Sequence, residues 1–243
     1  MTPRPVLRGL QLRGASLAYA ALLGLAMVAF WPGYLVKPAA ASGWTHFHAI
    51  TATLWLLLLI AQPIAIYAGR RELHRQLGRY SPALALLMVA GFIGLAHASM
   101  AGKTGMEAAV GAYFFYVRVV LVSTFVFCFA MGWLYRREAE IHARFMVCTG
   151  LAAIDPIVHR IAARLSQGAD LNYQLLTFGL ACAVLVALIV AEWRLRARTF
   201  VFPLVLAVTA VMALPLWLDF HTWGEPWRMW KALAAAFASL PIP

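Results

Sequence analysis

Charge is scarce in this chain, and acidic charge is scarcer still. Charged residues make up 12% of the 243 positions, with 9 Asp and Glu against 20 Lys and Arg. A soluble domain carries about a quarter charged residues, so the chain lacks the polar surface a water-soluble globule needs. Cysteine is nearly absent. Cys128, Cys148 and Cys182 form no CxxC pair and no zinc spacing, which leaves out a cysteine-based zinc site and says little about redox compartment. No nucleotide-binding loop, nucleophile elbow or complete catalytic triad is present, and neither is an HExxH or His-box cluster of the membrane hydroxylase type. There is no linker, low-complexity tract, soluble domain or convincing internal repeat.

What the chain has is oil. The hydrophobic fraction is 63% and the mean hydropathy +0.79, so lipid is the expected solvent. The formal net charge of +11 would suggest nucleic acid in a soluble protein. Here the basic residues stand in short clusters between apolar runs. They read as topology signal and as contact with anionic lipid headgroups, and nucleic acid is not an expected partner.

Crossing the hydrocarbon core takes about 20 apolar residues in a helix. Seven runs qualify, roughly 14–35, 45–69, 80–99, 111–135, 142–163, 173–193 and 200–219. The expectation is a single all-α transmembrane bundle over 1–243, with a functional core at about 45–163. The Trp-rich, amphipathic stretch at about 222–243 suits the membrane interface better than an eighth span.

The arginines alternate. Arg4, Arg8 and Arg13 precede the first span; Arg70, Arg71, Arg75 and Arg79 fill the second loop; Arg136, Arg137 and Arg144 the fourth; Arg194, Arg196 and Arg198 the sixth. The odd loops are poorer, with Lys37, Lys103, and then Arg160 with Arg164. Seven spans with the N-terminus in the cytoplasm and the tail in the periplasm of a bacterial inner membrane fit this pattern. Residues 1–43 resemble a signal peptide, but their apolar stretch is longer than a usual signal core, so a retained first helix is expected.

Ionisable groups at membrane depth are candidate functional residues. The topology sorts them into two layers. His48, His97, Asp155, His159 and Arg118 belong to the outer one, His74 and His142 to the inner one. His48, Trp55, Gln62 and Gly69 recur every seven residues, so one stripe of the second span should face other helices, with Gln62 as a polar helix contact. Asp155 and His159 share a face at i, i+4. His46 and His48 point to opposite sides, so at most one of them serves a given site. Gly91 and Gly94, near His97, would let a helix or a flat cofactor come close. Arg118 and Asp155 lie at similar depth and are expected to form a structural ion pair.

Three functions are consistent with these residues. Haem b needs two facing imidazoles, so His74 with His142 would hold an inner haem and two of His48, His97 and His159 an outer one. Arg75 and Arg144 would meet the propionates. Alternatively, His48, His97, His159 and Asp155 would bind zinc, iron or copper, or line a quinone site. In the third reading the chain is a non-enzymatic accessory or assembly subunit, or a small transporter, and its polar residues are helix–helix glue and lipid contacts. The partners implied are lipids together with a redox partner or a larger membrane complex.

Two stretches carry a resemblance. His48, Gln62, Arg70 or Arg71, the run His74-Arg75-Gln76-Leu77-Gly78-Arg79, and then His142, Arg144 and Met146 resemble an uncharacterised bacterial family of multi-pass membrane proteins of unknown function. The match covers about half of the chain. It departs at Ala143, where that family usually has a further basic residue. The resemblance implies a multi-pass membrane fold and no settled activity. Histidines at both ends of a four-helix core are also similar, in architecture alone, to cytochrome b561-type proteins.

Overall fold

The computed structural model describes residues 5–167 and 172–242, with side chains from residue 14 onward. Arg4 and the side chains of Arg8 and Arg13 therefore lie outside the described residues. Helix α1 spans Pro5–Phe30, α2 Gly43–Tyr67, α3 Arg71–Ala98, α4 Gly105–Leu134, α5 Ala139–Cys148 and α6 Ile154–Leu165. They are followed by α7 at Tyr173–Arg194, α8 at Val201–Trp217 and α9 at Glu225–Ala238. No strand occurs among the described residues.

Six segments are long and apolar enough to cross a membrane: Gly14–Leu35, Gly43–Tyr67, Arg71–Ala98, Gly105–Leu134, Ala139–Leu165 and Tyr173–Arg194. The chain is a multi-pass integral membrane protein. Its outer surface agrees: Leu17, Leu86, Val211 and Leu214 stand exposed, a belt that water would penalise and lipid does not. The seventh expected span is α8, whose 17 residues rise about 26 Å at 1.5 Å each, a little less than the roughly 30 Å hydrocarbon core. It still runs the length of the bundle. Val201 and Val205 pack with Cys128 and Phe145 at one end, and Leu216 joins the central cluster with Val117 and Val120 at the other.

Local chemistry sets the breaks. Ser42 caps α2 by accepting from Thr45 N–H at 3.2 Å, and Asn172 Oδ1 caps α7 by accepting from Leu175 N–H at 2.9 Å. Pro82 has no N–H for the Gly78 carbonyl four residues back; Ser81 Oγ donates to that carbonyl at 2.8 Å instead. Pro156 likewise withholds an α-helical bond from Ala152, and the chain between α5 and α6 tightens into a 3-10 turn at Thr149–Ala153. Two antiparallel packings do most of the assembly. Helix α2 lies against α1 and α3, and α7 lies against α6 and α8. The core centres on Trp55, which meets Phe125 and Phe129 edge-on and donates from Nε1 to Thr149 Oγ1 at 3.1 Å.

Helix α1 docks through Tyr19, whose hydroxyl donates to the Val147 carbonyl and whose ring occupies the space a side chain at Gly150 would need. Ser16 donates to Ile60 O at 3.1 Å. The amphipathic tail segment is α9. Trp230 Nε1 donates to Ala112 O at 2.7 Å, and Phe237 stacks on Phe115. It covers the end of the bundle where α3 stops and α4 starts.

Candidate functional site

The loops richest in arginine meet at one end of the bundle, called here the basic end. The His74–His142 ring contact links α3 to α5, and Arg144 ties α5 to the α7–α8 connection through Ala197 O. There the expected inner pair is assembled: His74 and His142 have ring centroids 6.4 Å apart, with planes at 86°. Both are half-buried. Each ring is held at Nδ1. His142 Nδ1 lies 2.8 Å from the Gly132 carbonyl. His74 Nδ1 faces the Gln62 amide, which in its better-satisfied orientation also donates to His74 O at 3.3 Å and accepts from Gly78 N–H at 3.1 Å. The stripe on α2 thus does what its spacing requires: Trp55 is buried and Gln62 finds polar partners on α3. In both rings Nε2 is the nitrogen left for a further partner.

The two arginines expected to meet propionates are engaged by carboxylates. Arg75 pairs with Glu72 one turn away at the surface. Arg144 is buried. Its Nε binds Glu192, its Nη1 donates to Glu140 O at 2.8 Å and its Nη2 to Ala197 O at 3.3 Å. Glu192 in turn accepts from Thr199 N–H at 3.3 Å and Thr199 Oγ1 at 3.2 Å. Among the described residues this is the buried ion pair of the molecule, and the sequence reading placed it elsewhere. Glu192 at the end of an apolar run, on the same side as an arginine of the preceding basic loop, was the available signal.

At the opposite end the expected constellation separates. His48 sits against Phe92, His97 against Phe237, and His159 between Phe114 and Tyr173. No ring contact joins any two of them. The glycines explain why a flat cofactor does not fit here. A Cβ on Gly91 would lie 3.2 Å from His48 Cα, and one on Gly94 would overlap the Trp44 indole. Both positions exist to let α2 press onto α3, and no slot remains. His48 Nδ1 and His97 Nε2 are buried without a partner. His46, on the other side of α2, meets Tyr34 Oη at 2.8 Å. Among the described residues no group of three or more His, Cys, Asp or Glu side chains is gathered as a metal needs, so the set His48, His97, Asp155 and His159 is not assembled.

The expected pair of Arg118 and Asp155 does not form either. Arg118 Nη1 donates to Ser99 Oγ at 2.9 Å, at the end of α3, while Asp155 accepts from Thr177 Oγ1 on α7 at 2.6 Å. Equal depth along two helices does not fix which way each side chain turns. Arg118 reaches up towards the bundle end, as long cationic side chains in membranes do, and Asp155 turns across to α7. Compared with known proteins, the chain matches no family model, no curated protein and no solved structure.

Proposed function

We propose that this chain is a bacterial inner-membrane protein of electron transfer, in which His74 and His142 would hold one haem b at the basic end and a redox partner would receive the electrons. The observation that carries the reading is the imidazole pair. An iron about 2 Å from each of two ring nitrogens, themselves roughly 1 Å from their ring centres, requires centroids about 6 Å apart. The rings stand 6.4 Å apart with planes at 86°. The Gly132 carbonyl at His142 Nδ1 is the kind of outer partner that fixes a ligating imidazole's tautomer and leaves Nε2 for the metal. At His74 the better-satisfied Gln62 orientation donates to Nδ1 and leaves the proton on Nε2, so ligation there would require the Gln62 amide to turn its carbonyl to Nδ1.

A haem bound there would supply one-electron exchange. The protein's own contribution is to clamp both rings and to keep them at the membrane edge. Propionates would meet exposed arginines of that end, Arg70, Arg71 and Arg79, since Arg75 and Arg144 are paired elsewhere. The outer haem and the metal centre are not part of this reading. A second reading has its own support: Gln62 already ties His74 to the backbone of α3, so the histidines also suit an accessory subunit in which they are helix–helix glue.

One preparation separates the two. Full-length protein purified in detergent from haem-replete cells should be red, with a Soret band that sharpens on reduction. His74→Ala and His142→Ala should each lose the haem while the helical circular-dichroism signal remains. A folded, colourless wild-type protein that takes up no added hemin defeats the haem reading and leaves the accessory one.

A further inference from the structure

Away from the histidines, a small cavity lies where α4, α7, α8 and the start of α6 meet. It has room for about one water-sized sphere, some 10 Å³; Thr124, Asp155, Thr177 and Thr209 line it among apolar leucine, alanine and phenylalanine side chains. A threonine inside a helix ordinarily donates to a carbonyl one turn back. Thr51 does so to Phe47 O at 3.0 Å, and Thr149 to Met146 O at 2.6 Å. Thr124 and Thr209 do not. They are only 5% and 3% exposed, and their hydroxyls have no partner. In a membrane interior, where water does not make good the loss, an orphan hydroxyl is costly. Two on the same cavity, from different helices, point at something between them.

Asp155 supplies the charge. Its carboxylate is buried and takes one hydrogen bond, from Thr177 Oγ1 at 2.6 Å. Among the described residues no cation pairs with it. Arg160, one turn on, donates to Pro156 O at 2.8 Å and lies over the Phe30 ring. The ionisable groups within electrostatic reach are His159 and Arg160 of α6 and Tyr113 of α4. The polar side chains on the cavity are thus one carboxyl group without a cation partner and three hydroxyls, and they offer oxygen alone. An all-oxygen set suits a hard cation, a single carboxylate matches a single positive charge, and room for one water-sized sphere admits one bare ion of sodium or potassium size.

We infer that Asp155, Thr124, Thr177 and Thr209 form an occluded binding site for a monovalent cation of sodium or potassium size. The inference is independent of the haem reading and uses none of its residues. A bound ion would tie α4, α6, α7 and α8 together and stabilise the fold by mass action.

The test uses purified full-length protein, exchanged into choline chloride and titrated with NaCl, KCl or further choline chloride at constant chloride. The melting temperature should climb with the logarithm of sodium while the choline series stays flat, the potassium series reads the size limit, and radioactive sodium should bind saturably. Thr209→Val and Thr124→Val keep the side-chain shape and remove one oxygen each. Each should raise the half-saturating sodium concentration about tenfold, as the loss of one ligand to a charge implies. Asp155→Asn should abolish the response. Because that change also strikes a buried hydrogen bond and threatens folding, the threonine variants carry the decision. If the sodium, potassium and choline series superimpose, or if both threonine variants respond to sodium as wild type does, the cavity holds water only and the inference fails.

Discussion

Arg144 and Glu192 show how burial decides the worth of a charge. The pair is enclosed, and the remaining polar atoms of each partner are met by Glu140 O, Ala197 O and Thr199. Removing one partner leaves an uncompensated charge in a low dielectric, which costs about 3–5 kcal/mol, whereas replacing both with apolar residues of similar size is often close to neutral. Glu192→Gln alone should therefore lower the melting temperature of the detergent-solubilised protein sharply. Arg144→Met with Glu192→Met should recover most of that loss. Equal melting temperatures for the single and double variants would show that the pair is not coupled. By contrast, Arg75–Glu72 is exposed at the surface, and Glu72→Gln should change stability by less than about 1 kcal/mol. At this scale the sequence was half legible. The spacing of His48, Trp55 and Gln62 placed a stripe against other helices, and assignment to one layer put His74 with His142. Partner choice for Arg118, Asp155 and Arg144 was not legible, because it depends on rotations about helix axes that depth alone leaves free.

Helix–helix contacts explain the glycines that suggested a cofactor slot. A methyl group at Gly94 would overlap the Trp44 ring, so α2 and α3 are as close there as backbone and indole permit. Gly94→Ala should destabilise the protein by about 1–3 kcal/mol, the usual cost of overpacking. Shrinking Trp44 to Leu in the same chain should return part of it. Gly179, in the middle of α7, has nothing within 4 Å of its would-be Cβ. Gly179→Ala should be neutral or slightly stabilising, since Ala is the better helix former. Thermal melts of the three variants check the contrast, and similar losses at Gly94 and Gly179 would mean that helix propensity and not packing is being measured. Element boundaries were legible to within a turn for α2 and α7, where caps and loops mark them. They ran early for α3 and α4, which begin at Arg71 and Gly105, because the polar first turns of these helices carry no hydropathy signal. The 3-10 turn between α5 and α6 was legible only as a proline.

The whole molecule turns an alternation in sequence into an axis. Arginines of the α2–α3, α4–α5 and α7–α8 connections gather at the end that holds His74, His142 and the Arg144–Glu192 pair. The opposite end carries α9, whose Trp230 and Phe237 lie on α4. Lys and Arg in short loops favour the cytoplasmic side. By that rule the basic end would face the cytoplasm, where its arginines would also attract anionic headgroups. Helix α8 decides the topology. It is the shortest of the apolar helices that cross the bundle, yet it carries the chain from the packing around Phe145 to that around Tyr116. If it crosses the bilayer, the basic end faces the cytoplasm and the C-terminus emerges in the periplasm. Alkaline phosphatase fused after residue 243 should then be active, and the same enzyme inserted after Gly69, in the basic connection, should be silent. The reciprocal pattern with a green fluorescent protein completes the pair. An inactive C-terminal phosphatase with an unchanged result at Gly69 would place α8 as a hairpin that returns to the cytoplasmic side. Active phosphatase at Gly69 would invert the whole axis and put the imidazole pair on the periplasmic side.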